Sequence, residues 1–200
     1  MIVKPFYTSL ILSLTVAVAV LTAPFRSHEL LASEPPVKLW TGRIETSEID
    51  NATDLALDDV GNVFVCGHTK GSMTGFTNKG GIDGFLVKYD PRNQVEWTLQ
   101  WGRKSDELAY AVAPDGVGGV YVTGCVHENS IAEPRGFLSR IDASGKTTWC
   151  NDFDVTNVTC CRDVCVDHEG FVYVVGDSRR DNGGNMSGFV RKHLADGTPI

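Results

Sequence analysis

The chain has 200 residues, a formal charge of −7, 21 Gly and 8 Pro. That length allows one domain of ordinary size with a sizeable core. Its acidity argues against nucleic acid or anionic lipid as the main partner, because both attract basic patches. Abundant Gly among short apolar runs predicts many tight turns and short strands.

Residues 1–32 read as a targeting segment. Lys4 precedes an apolar run from Leu10 to Val20, which is the layout of a secretory signal. A membrane span needs about 20 apolar residues. The stretch from Phe6 to Phe25 approaches that length, so an uncleaved anchor helix stays open beside a cleaved signal. Cleavage after Ala23 is disfavoured by Pro24, and Ala32-Ser33 is the other site. The segment holds Lys4, Arg26 and Glu29, so residues 33–200 carry 16 basic and 24 acidic side chains, a net −8. The expected location is exported: periplasmic, cell-surface or secreted, touching a membrane only through this segment.

Residues 33–200 contain three copies of one unit. LALDDVGNVFVCG (55–67), VAPDGVGGVYVTG (112–124) and VCVDHEGFVYVVG (164–176) align without gaps. In them Asp58, Asp115 and Asp167 coincide, as do Gly61, Gly118 and Gly170, and Gly67, Gly124 and Gly176. Downstream, Phe85, Phe137 and Phe189 are spaced by 52 and 52, and Trp97 and Trp149 by 52, whereas the first set is spaced by 57 and 52. The five extra residues lie between Gly67 and Phe85, a polar loop of the kind a repeated scaffold tolerates.

Each copy reads as four strands, in the first roughly Ala52–Leu57, Asn62–His68, Gly84–Tyr89 and Val95–Trp101. The run Asn62–Cys66 is apolar on both sides, as in a strand buried on both faces. The D-x-x-G segments predict turns in which Asp bonds the backbone two residues on and Gly takes positive φ. Asn93, Gly145 and Gly197 end a second turn in each copy. A structural role is favoured for Asp58, Asp115 and Asp167, since a calcium site needs several convergent oxygens. Four strands at a period near 50 residues predict an all-β propeller, with blades at about 43–101, 102–153 and 154–200. Trp40, Phe85, Trp97, Phe137, Trp149 and Phe189 are the expected blade-packing aromatics.

These positions resemble the SBBP-type β-propeller repeat, through the trailing Trp, the D-x-x-G-N-V-Y-V-x-G core (Asp58–Gly67, Asp115–Gly124) and the strand Gly84–Asp90. Arg135 and Ser187 depart from the pattern at the place of Asp83, and Leu194 at the place of Asp90 and Asp142. The resemblance implies an extracytoplasmic propeller and no particular reaction. A second stretch, Asp142–Trp149, looks like the tryptophan-docking motif of quinoprotein dehydrogenases, one residue short. Adjacent Cys160 and Cys161 are similar to that family's vicinal disulfide.

Six Cys allow 15 connectivities. Buried thiols are the leading expectation at Cys66 and Cys165, with a disulfide somewhere as the alternative for an exported chain. Cys161, Cys165 and His168 are a conceivable metal cluster, and Cys161 and Cys165 would share a face, but about 13 Å separates the two Cys at about 3.3 Å per residue, too far for one metal without a bend. No catalytic set, metal or cofactor is expected. His68, His127 and Asp177 lie where propeller loops collect ligands, and are the ligand-binding candidates by location. The expected function is a non-catalytic binding or surface-scaffold module with a protein or carbohydrate ligand. The alternative is a propeller enzyme, a quinoprotein-like oxidoreductase or a lyase or hydrolase. Propellers close with about four to eight blades. Three copies, with Lys38–Gly42 as a lone leading Trp-bearing strand, are expected to leave open blade faces and to self-associate through them.

Overall fold

Short β-branched and aromatic runs punctuated by D-x-x-G turns favour antiparallel hairpins, and hairpins are what form. The computed structural model describes residues 40–128, 134–153, 158–179 and 185–200. The expected leader helix lies outside them. The first sheet is β1 (Asp50–Leu57), β2 (Val63–Thr69), β3 (Asp83–Tyr89) and β4 (Val95–Trp101), in that order. The second is β5 (Asp106–Pro114), β6 (Val120–His127), β7 (Arg135–Ile141) and β8 (Thr147–Asp152). The third is β9 (Val158–Val166), β10 (Val172–Arg179) and β11 (Met186–His193). Among the described residues no helix is present.

The turns repeat in atomic detail. Asp58 Oδ1 accepts the N–H groups of Val60 and Asn62 at 3.1 and 2.9 Å. Asp115 does the same for Val117 and Gly119, and Asp167 for Glu169 and Phe171. Gly61, Gly118 and Gly170 sit at φ of 88°, 94° and 84°, where an L side chain is strained. In the third copy Leu194 replaces the capping Asp of the second turn, and Asp196 accepts the Thr198 N–H.

Every inner strand carries a bulge at the same repeat position. The ladder skips Thr53 in β1, Tyr110 in β5 and Arg162 in β9. A bulge adds a residue and breaks the alternation of faces downstream. It corrects one expectation: Cys161 is buried and Cys165 exposed, so the two do not share a face. Across from the bulge, a Cβ at Gly67, Gly124 or Gly176 would overlap the carbonyl of Asn51, Leu108 or Cys160, which accounts for the glycine in each core motif.

Successive sheets stack through their inner strands: β5 packs on β1, β2 and β3, and β9 on β5, β6 and β7. The first junction buries Phe64, Cys66 and Leu86 against Val112, Val120 and Phe137. The second buries Leu138 and Tyr121 against Val164 and Val174. Thr53 Oγ1 donates to the Ala109 carbonyl at 2.9 Å, and Val112 N–H to Asp54 Oδ2 at 3.0 Å. The free edge of β5 is thereby partnered by the preceding sheet.

Aromatics bind each fourth strand to the following sheet. Trp101 meets Phe137 edge-on at 6.5 Å, and Phe153 meets Phe189 at 6.4 Å. Trp97 donates its indole N–H to the Ala143 carbonyl at 3.0 Å, and Trp149 lies beside Gly197. The leading segment packs by the same rule, with Trp40 against Tyr89 at 5.1 Å and Ile44 on the cluster of Phe85, Val87 and Tyr89. However, residues 40–42 form no strand, contrary to expectation, because no described strand lies alongside to pair with them.

Candidate functional site

The blades have two ends. At one, the three D-x-x-G turns surround a hollow of about 750 Å³ lined by Asp58, Val60, Asp115, Val117, Asp167 and His168. Three carboxylates around a hollow invite a cation, but their oxygens are already engaged. Besides the backbone bonds to each Oδ1, Asp58 Oδ2 accepts from Asn62 Nδ2 at 2.6 Å, Asp115 Oδ2 from an Arg140 guanidinium nitrogen at 2.7 Å, and Asp167 Oδ2 from the Tyr173 hydroxyl at 3.0 Å. Three different donors do one job, so the carboxylates serve the turns. Burial pushes the Asp58 carboxyl up, yet the hydrogen bonds from Asn62 and Val60 outweigh it and hold it below its usual range.

At the other end, His68, Cys125 and Asp177 occupy one equivalent position at the tips of β2, β6 and β10. In the first two sheets the side chain there faces the inner strand of the following sheet. In the first junction His68 lies near the Ala109 carbonyl, with its Nε2 3.4 Å from Asn51 Nδ2. Burial pulls its imidazole below the ordinary value, and the carbonyl offsets part of that. In the second junction Cys125 is disulfide-bonded to Cys160 of β9, with Cα atoms 5.2 Å apart and 35 residues between them in sequence. His127 stands beside them: its imidazole nitrogen and the two sulfurs all lie within 4.8 Å of one another. Asp177 pairs with Cys160 in the ladder and accepts Arg162 Nε–H at 2.8 Å. The Arg162 guanidinium sits over the Tyr110 ring at 5.3 Å, and the bond to Asp177 raises its pKa further.

The structure thus puts His127 beside one disulfide, Asp177 across the ladder from its Cys160, and His68 in the neighbouring junction. The resemblance to a vicinal disulfide is corrected, since Cys160 pairs with Cys125 and Cys161 is a free buried thiol. Burial pushes the Cys66 and Cys161 thiols up to about 12, so both stay protonated and inert. Cys165 is exposed rather than buried, because its side of β9 turns away from the second sheet. Sequence reasoning missed the Cys125–His127–Cys160 group. The signal was available in the period: Cys125 takes the place of His68 and Cys160 that of Leu108, and in the second junction these two positions meet.

A cavity of about 200 Å³ also opens between the first and second sheets, floored by Trp101 and Phe137 and rimmed by Arg103, Cys150 and Asp152. The nearby buried Glu107 is fully engaged with the Arg103 N–H and the Ser105 hydroxyl, and burial raises the Cys150 thiol.

Antiparallel sheets of one repeat, stacked through their inner strands, define a β-propeller repeat architecture. Residues 39–72 match the family model of the SBBP beta-propeller repeat, which is what this stretch of the chain is similar to. No curated protein matches the chain.

Proposed function

We propose that this is an exported, non-catalytic binding or scaffold protein that works through its blade surfaces and associates head to tail. The observation that carries the reading is the state of two equivalent positions at the ends of the stack. Leu86 and Leu138 are fully buried by the following sheet, but their counterpart Val190 is 71% exposed. Val112 and Val164 are buried against the preceding sheet, but their counterpart Leu55 is 58% exposed. Within the chain, Val112 packs in one cluster with Leu86 and Cys66. The surface around Leu55 is therefore of the kind that covers the surface around Val190 and Val175. The proposed occupant is a blade of the same repeat on a second copy of the chain, a heterologous contact that can close into a ring.

Sedimentation velocity of the purified chain tests this. Its mass should rise with concentration, and Leu55→Glu or Val190→Glu should each abolish the rise. Mixing the two variants should restore one intact contact and give a dimer, with nothing larger. A wild-type chain that stays monomeric at every concentration sinks the reading. The rim holding His68, His127 and Asp177 is the proposed contact region for a protein or carbohydrate ligand, and the membrane is reached only through the N-terminal segment. The enzyme alternative would require a chromophore or stoichiometric calcium in the purified protein, which absorbance and metal analysis would reveal.

A further inference from the structure

We propose that Cys125, Cys160 and His127 form a redox-gated site for a soft divalent cation such as zinc, bridging the second and third sheets. The donors come from β6 and β9 and lie within 4.8 Å of one another. Two thiolates and an imidazole are donors zinc prefers. With Zn–S about 2.3 Å and Zn–N about 2.0 Å, tetrahedral binding sets the donors about 3.5–3.8 Å apart. The Cα atoms of the two Cys are 5.2 Å apart, so the sulfurs can part to that spacing by side-chain movement. His127 is half-buried at the strand end, which leaves a fourth position open to water or an added ligand.

The repeat itself does not demand these residues. In the first junction the same two places hold His68 and Leu108, and the sheets stack there without a thiol at either place. The other buried thiols, Cys66 and Cys161, belong to no such donor group among the described residues. The Cys125–Cys160 pair therefore adds something to the second junction that packing does not need.

The gate is the disulfide. A thiol reductant delivers two electrons together with its own two protons, whereas a phosphine delivers two electrons and one water supplies the two protons and the oxide oxygen. The S–S bond becomes two thiols, and the reductant leaves as its own disulfide or as phosphine oxide. The cation then displaces both thiol protons to solvent and binds two thiolates and the neutral imidazole. A disulfide-class oxidant reverses this by taking two electrons from the thiolates, which reforms the S–S bond and releases the metal. The same two strands are thus cross-linked in both states, by sulfur when oxidised and by metal when reduced.

Cobalt(II) is the probe, added to the full chain before and after phosphine reduction. The reduced protein should develop a thiolate-to-cobalt charge-transfer band and tetrahedral visible bands at one metal per chain, both removed by zinc. The oxidised protein should show neither. Cys125→Ser and Cys160→Ser should abolish the bands, while Cys66→Ser and Cys161→Ser should leave them. His127→Ala retains the disulfide and so folds in its oxidised form. After reduction it should bind cobalt more weakly by more than the about 10–100-fold typical of outer-shell losses. Absence of the bands in reduced wild type, their survival in the Cys125→Ser, Cys160→Ser double variant, or undiminished affinity in His127→Ala would each overturn the proposal.

Discussion

The second and third sheets share a repeat and differ in surroundings. Every residue of β6 except His127 is buried, whereas β10 has an exposed Val175. A Cβ on Gly136 would lie 2.5 Å from the Cys161 sulfur, while one on the equivalent Gly188 would meet only the Gly176 carbonyl oxygen, at 4.0 Å. Leu138 has no exposed surface, whereas Val190 is largely bare. The sequence pattern sets which side chains point toward a neighbour. Only the neighbour decides whether the direction yields stability.

The largest test of that contrast is Leu138→Ala beside Val190→Ala. The first opens a cavity in a packed junction and should cost about 2–5 kcal/mol, while the second should stay within about 0.5 kcal/mol in the monomer. Urea unfolding of both variants measures the gap, and equal costs would mean that the two faces are covered alike. Next comes reduction of Cys125–Cys160 in metal-free buffer, which removes a cross-link spanning 35 residues and should cost about 2–4 kcal/mol. Thermal melts with and without reductant read it.

Smaller is the pair Gly118→Val and Gly170→Val. Both force a β-branched residue to positive φ, at about 1–2 kcal/mol. Gly118 should cost more, because an added Cβ would also meet Ala143 at 3.3 Å, whereas Gly170 has open space. Smallest is the acid response of the first turn. The Asp58 carboxyl is held below its ordinary value, so its contribution is present above about pH 4 and fades as pH falls through the lower folded value. Asp58→Asn should flatten that limb of a stability-versus-pH curve. An unchanged limb would show that other carboxylates carry it.

The strands and turns were legible because their chemistry is local. Asp58 and Gly61 contain the instruction for a turn within four residues, and the 52-residue spacing of Phe85, Phe137 and Phe189 carries it to every copy. The bulges at Thr53, Tyr110 and Arg162 were not legible, because a ladder slip depends on the partner strand and leaves no mark of its own in composition. From that one omission followed the misplacement of Cys165 and the missed junction at Cys125, since both depend on how one sheet faces the next. Leu194 is the converse case, a departure from the repeat made harmless by Asp196 two residues on.

The disulfide has a consequence for cooperativity. A stack in which each blade touches only its neighbours behaves as a line of coupled units, and it melts where coupling is weakest. A covalent tie between the second and third units makes them rise and fall as one, and leaves the first held by packing and by hydrogen bonds such as those of Thr53, Asp54, Ile82 and Trp97. Fraying should therefore begin at the first sheet in the oxidised chain, and spread to both ends once the tie is cut.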